Sequence, residues 1–412
     1  MSEPTLMSQL FLPDVVTNFR RGLSVEDVAK DLGVLGDLVG TWMGSGFTLI
    51  SLPAFDPRPP NDGARKDFRV VANATREILE VEPIGASFPN RGSFKEVDSP
   101  FGQPDIEIYG VRYHQRVTDA ENNQPLHMES GFWLKVPKTD IPDLRRSLVR
   151  QAVIPHGDSL LALGPSSLTY NGKPRRLRRD GSEGYEIGFD PVSPFPVEHA
   201  TGRPDFNVGY LHDFVHPDEH SSPLARFSDL IVDVEAPPAP APRVLNANRA
   251  LELAIKDQDI ERTTTLKVSA KNPDKPKRTG ELEKNGEAGE SGKYDDILSG
   301  KNDDILSRRE YDVWSEKNKK DQKEDPHKDF EALKLFENVA KGWKEYGRIA
   351  NIPFLAAKNA DVTEFESTFW VEAVKIKDSR ETFLQLQYSQ LVFLDFLGAD
   401  WPHISVATLI KQ

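Results

Sequence analysis

The sequence has no cysteine in 412 residues. That excludes disulfides, cysteine zinc sites, cysteine-ligated iron–sulfur clusters, thiolate-ligated haem, covalent haem attachment and any thiol nucleophile. A metal would have to be held by His, Asp, Glu, Tyr or Met. Long apolar runs are also missing: none approaches the roughly eighteen residues of a membrane span. The first eleven residues have no basic region of the kind that opens a secretory leader, so a cytoplasmic protein with no membrane partner is expected. Positive charge is in deficit. The net charge of −13 argues against a nucleic-acid partner, which would need a basic face for the phosphates. The one basic cluster, Arg175-Arg176-Leu177-Arg178-Arg179, reads as a solvated loop. No Gly-x-Ser-x-Gly elbow supports a hydrolase. The partner this composition leaves is a small-molecule ligand or substrate, with a homodimer open.

What the chain does have is β pattern, in two blocks. Thr41 to Ile50, Phe68 to Val81, Ile106 to Thr118, His127 to Val136, Leu148 to Ile154 and Leu160 to Leu168 are strand-like and bounded by Gly, Pro, Asn and Asp. In the third, Tyr109, Val111, Tyr113, Gln115 and Val117 share one face. Arg112, His114 and Arg116 share the other, which makes His114 an outer-face residue without a role. Strand character returns at Phe365 to Ile376, Phe383 to Leu397 and His403 to Lys411. With Thr263 to Ser269 this makes roughly ten strands. Strands in direct succession favour an antiparallel meander, and closure into a barrel would remove its edges.

Residues 1–35 read as a helical lead-in, capped by Ser24 and stopped by Gly33. Residues 36–169 hold the first part of the barrel, 170–362 an insertion, and 363–412 the last strands. Within the insertion, 190–243 is proline-rich and loop-like. Residues 271–330 are so highly charged that mobility is expected. Pro326 to Arg348 has Ala332, Leu335, Phe336, Val339 and Trp343 at helical spacing, which predicts a helix docking an apolar face on the barrel. His212, His216 and His220 have the spacing of a helical metal face, but Pro217 and the loop-like surroundings favour a surface loop. His199 and His327 read as solvated.

Two stretches carry candidate chemistry. Gly40-Thr41-Trp42-Met43-Gly44-Ser45-Gly46 opens the first strand. Its glycines suit a strand that bends sharply and lets something flat approach its backbone, or else a barrel corner plugged by Trp42. In Trp401-Pro402-His403, at the other end of the chain, a histidine opens the last strand behind a proline. The preceding strand offers Leu384, Leu386, Val392, Leu394 and Phe396 on one face, with Tyr388 among them. Tyr388 either touches a bound ligand or fills core. His127 is either a ligand contact or a strand histidine satisfied by its neighbours.

The Gly-x-Trp-x-Gly-x-Gly opening resembles that of the nitrobindin family, haem-binding antiparallel barrels also described as peroxynitrite isomerases and shaped like fatty-acid-binding proteins. Pro125-Leu126-His127-Met128-Glu129-Ser130-Gly131-Phe132 and the Pro402-His403 pair continue the similarity. The resemblance covers about 200 residues in two blocks and leaves the insertion without a counterpart. It implies a mainly β, roughly ten-stranded antiparallel barrel and non-covalent haem b with His403 as axial ligand of the iron. Thr41, Trp42, Gly44 and Gly46 would then lie near the haem, with His127 and Tyr388 as further contacts. Ferric-haem chemistry on small nitrogen oxides is the implied activity. A haem enzyme acting on a larger organic substrate, and a metal-free carrier of an apolar ligand, are the alternatives.

Overall fold

The computed structural model describes residues 30–53, 67–92, 104–140, 143–144, 147–164, 168–171, 175–177, 185–187, 194–195, 197–198, 209–210, 225–233, 243–272, 347–351, 360–396 and 399–412. Eleven strands close into one barrel. They are β1 (Gly40–Pro53), β2 (Asp67–Pro83), β3 (Ile106–Asp119), β4 (Pro125–Val136), β5 (Ser147–Ile154) and β6 (Asp158–Gly164). After the insertion come β7 (Asp259–Lys271), β8 (Gly347–Asn351), β9 (Asp361–Lys375), β10 (Thr382–Phe396) and β11 (Ala399–Lys411). Around the barrel the order is β2-β1-β11-β10-β9-β7-β8-β6-β5-β4-β3, and β3 pairs back onto β2 to close it.

All ten expected strands form. The expectation of a wholly antiparallel ten-stranded barrel is corrected by β8, which runs parallel to β7 (Ala270 beside Gly347) and antiparallel to β6. This strand lies inside the segment read as insertion. It has five residues and only Ile349 of them joins the barrel core, so its alternation is too short to show. Because Gly347 and Arg348 are strand, the helix expected through Arg348 does not reach that far. Its earlier residues lie outside the described residues, as do Ser24, the charged stretch beyond Asn272, and His199, His212, His216, His220 and His327.

One end of the barrel is sealed. The helix ending at Leu32 gives way at Gly33, whose positive φ of 55° suits glycine, to a 3-10 turn over Gly33–Leu38. Leu32, Leu35 and Leu38 pack with Trp42, Trp133 and Leu148. The Trp42 indole Nε1 donates to the Leu38 carbonyl at 2.7 Å, which satisfies its one polar atom in a fully buried site. The other end is formed by the far ends of β1, β3 and β11 and by the β5–β6 turn.

The outer faces of β1, β10 and β11 are not left to solvent. Phe47, Leu49, Leu391, Phe393, Trp401, Ile404 and Val406 form a second apolar cluster with Phe195, Val197, Leu230 and Leu245 of the insertion. Leu251 and Ile255 of helix α1 (Asn248–Ile255) complete it. Sequence reading gave this stretch no helix. At eight residues it is too short to hold alone and depends on that packing. No helix of the described residues is long and apolar enough to cross a membrane.

Candidate functional site

The strand registers locate the candidate residues along the barrel. His403 on β11 lies opposite Ile50 on β1 and Val392 on β10, at the end away from the leucine seal. Trp42 pairs with Lys411, eight residues further along β11, about 26 Å at the usual strand rise. Thr41 is beside it, its carbonyl accepting from the Gln412 amide at 2.9 Å. Thr41 and Trp42 thus belong to the sealed end and are not brought to His403, and the plugged-corner reading of Trp42 matches its contacts.

The glycines have a definite use. A Cβ on Gly44 would stand 2.2 Å from the Thr408 carbonyl oxygen, and one on Gly46 2.3 Å from that of Val406. The same Cβ on Gly46 would meet Glu77 Oε1 and Thr75 Oγ1 at 2.7 and 2.8 Å. The close approach these glycines permit is therefore taken by strand β11 and by the Glu77 carboxylate. Pro402 lies within β11, which begins four residues before the expected strand start at His403. It sits just ahead of the β1–β11 ladder, whose last pair is Ile50 with His403, so its missing N–H costs that ladder nothing.

Two further histidines join His403. His127 and His156 stack with ring centroids 5.4 Å apart, and both act electrostatically on His403. Burial first, and then these two imidazoles, bring the His403 pKa down to about 4, so its ring is neutral at physiological pH. The ring is surrounded by protein yet keeps part of its surface accessible. It has no hydrogen-bond partner among the described residues. Val392 and Leu394 flank it from β10, partly buried against the core.

Beneath the histidines runs a buried polar belt. Burial would push the Glu129 carboxyl up, but the Arg150 guanidinium and His127 hold it down at about 2. Arg150 Nη2 contacts Glu129 Oε1 at 2.7 Å, both side chains fully buried. Arg150 also donates to Tyr113 at 3.0 Å, Ser367 at 2.9 Å and Gln390 at 3.0 Å. Four rings, those of Tyr113, Trp133, Phe365 and Phe369, surround its cationic carbon at 5.2 to 5.7 Å. Tyr113 donates to Glu129 in turn. Since ionised Glu129 can only accept, His127 donates to it through Nε2 at 3.3 Å.

A second carboxylate, Glu77, accepts from Tyr388 at 2.6 Å, Thr75 at 2.9 Å and Gln115 at 3.2 Å. Burial outweighs these donors and raises its pKa. Tyr388 is therefore a fixed member of the belt, stacked on Phe369 at 5.3 Å. At the rim, Asp158 is raised to about 6 by burial and by Asp361, against His127. Its Oδ1 is buried without a hydrogen-bond partner among the described residues.

The structure thus brings His403 and His127 together and adds His156. It places Tyr388 and Gly46 two inward rows deeper, both beside Ala407, and Thr41, Trp42 and Gly44 towards the sealed end. Arg150, Glu77 and Asp158 were missed in the sequence, although parity held a signal: Leu148, Arg150 and Ala152 alternate inward, and so do Glu77, Leu79 and Val81. His156 sits on a turn, where no periodicity points to it. Among the described residues no three His, Asp or Glu side chains are grouped to hold a bare metal ion. A haem, which needs one axial nitrogen from the protein and apolar walls, is a different demand. His403 with Val392 and Leu394 fits it.

No family model matches this chain, and no curated protein matches it. Among solved structures it is similar to the crystal structure of Rv2717c from M. tuberculosis, at 9% identity and a TM-score of 0.29, covering 93% of this chain and 97% of that one. A likeness that weak carries no argument about fold or function.

Proposed function

We propose that the barrel end away from the leucine seal binds haem b non-covalently and that His403 would hold its iron, in the manner of the nitrobindins that the sequence motifs resemble. The observation that supports this most is the His403 ring itself. It is neutral and without a hydrogen-bond partner among the described residues, and the apolar side chains of Val392 and Leu394 lie beside it on β10. An imidazole in that state offers a lone pair without first losing a proton.

When bound, a ferric haem supplies a Lewis-acidic iron for small nitrogen oxides, and isomerisation of peroxynitrite to nitrate is the activity the resemblance implies. The chain's own residues set the surroundings. Glu129, kept ionised by Arg150, accepts the Nε2–H of His127 and so fixes the orientation of that ring beside His403. Glu77, Gln115 and Tyr388 lie deeper in the barrel with their polar groups already committed to one another.

A second reading, a haem enzyme for a larger organic substrate, draws on the insertion at the rim. Val197–Glu198 pairs with Ala399 and Asp400, Gly209–Tyr210 pairs with Asp67 and Phe68, and Ser51 Oγ donates to the Pro194 carbonyl at 2.6 Å. These additions lengthen the wall around the mouth.

Titration of the purified protein with haemin tests the proposal. A Soret band saturating at one equivalent is expected, and a loaded protein that speeds peroxynitrite decay to nitrate beyond free haemin supports the first reading. Shifts of that band by organic compounds, with no effect on peroxynitrite, support the second. Failure to take up haemin, with binding of an apolar fluorescent probe instead, leaves the metal-free carrier.

A further inference from the structure

The barrel's two outer faces are treated unequally. The face of β1, β10 and β11 is buried under Phe195, Val197, Leu230, Leu245 and helix α1. The face across β2, β3, β4, β5, β6 and β8 carries a groove bordered by Glu82, Arg112, Phe132, Gln151, Leu161 and Arg348. The registers make these six residues one continuous cross-strand row. The next row holds Ser130, Val153 and Ser159. Phe132, Val153 and Leu161 from these rows form an apolar triangle, with exposures of 42%, 63% and 38%. Such a patch, rimmed by the Arg112–Glu82 ion pair and by Arg348, is the usual sign of a docking surface.

Where the chain leaves and returns says what occupies it. Asn272, the last residue before the 273–346 segment, lines this groove, and so does Arg348, the second residue after the segment ends. That segment contains the Ala332, Leu335, Phe336, Val339 and Trp343 stripe, whose spacing makes one apolar helical face. Trp343 precedes Arg348 by five residues, and Arg348 pairs with Leu161 at the edge of the patch, two strands from Val153 or about 10 Å at the usual strand spacing. The stripe is within reach without a long closing loop.

We propose that the apolar stripe of residues 332–343 docks in cis on the Phe132–Val153–Leu161 patch. Both arms of the insertion then serve one purpose, covering the barrel's outer apolar rows on opposite sides. The inference stands apart from the haem reading, because it concerns the outside of the wall.

The absence of native cysteine makes the test clean. Val153→Cys and Leu335→Cys are introduced together in the full chain and oxidised at low protein concentration. The expected product is an intramolecular disulfide, read by mass and gel mobility. Its yield should be at least about tenfold above that of Ile410→Cys with Leu335→Cys, the geometry of docking setting the effective concentration. Moving the second cysteine to Glu337→Cys, on the opposite side of the helical face, should lower the yield. Disulfide-linked dimers in place of the internal bond would overturn the proposal in favour of a second copy on the patch. Equal yields for the Val153 and Ile410 pairs would overturn it as well. Soret measurements on the same variants report separately on haem uptake.

Discussion

Arg150 is the residue on which the barrel interior depends most. A guanidinium with no solvent contact is tolerable only because Glu129, Tyr113, Ser367 and Gln390 take its donors and four aromatic faces enclose it. Removing one partner of such a pair strands the other, so Glu129→Ala should cost about 3–5 kcal/mol in urea unfolding. Arg150→Met with Glu129→Gln, which removes both charges and keeps volume, should cost clearly less. Asp158 gives a pH signature. Its folded pKa of about 6 lies above the ordinary 3.8, so the folded chain keeps a proton that the unfolded chain releases. Stability from this group therefore falls as pH rises through that window. Asp158→Asn should melt higher than the parent above about pH 7 and no higher near pH 4, by differential scanning calorimetry. Inward parity made the polar belt readable in principle. Arg150 and Glu77 look like strand-surface charges until the apolar residues two positions away fix which face is inward.

At the scale of elements, the glycines of β1 are where sequence and structure diverge most usefully. Gly-x-Gly after Trp42 signals close approach, but sequence alone does not say what approaches. The register supplies the answer, β11 and Glu77. Gly46→Ala should therefore destabilise by about 1–3 kcal/mol or more, because two of its three close neighbours are a backbone carbonyl and a pinned carboxylate. Chemical denaturation checks this, and a neutral outcome would mean β1 and β11 sit further apart. Long alternating strands such as β3 and β10 were legible from period alone. β8 was not, because five residues joined to the sheet by a parallel contact carry no local signature. Helix α1 was hidden for a related reason: its apolar face is matched to outer rows of β10 and β11 that only the folded barrel presents.

For the whole molecule, closure ties distant parts of the chain together. β1 lies between β2 and β11, and β6 between β5 and β8. Residues 36–169 alone would thus leave two unpaired edges and half a core. Expressed as a fragment they should give no cooperative thermal transition by circular dichroism. The same closure carries His403, near the chain's end, to His127 and to the β5–β6 turn that bears His156. Motif reading marked the first two but not the third, because a turn position acquires meaning only when the barrel closes. The central claim is that this histidine end holds haem through His403. The direct measurement is the absorption spectrum of haemin-loaded His403→Ala beside the parent, with and without added imidazole. The account predicts a folded variant that loses haem or shifts its Soret band, and recovers the parent spectrum when imidazole fills the vacated place. Unchanged haem content and an unchanged spectrum in His403→Ala would contradict it.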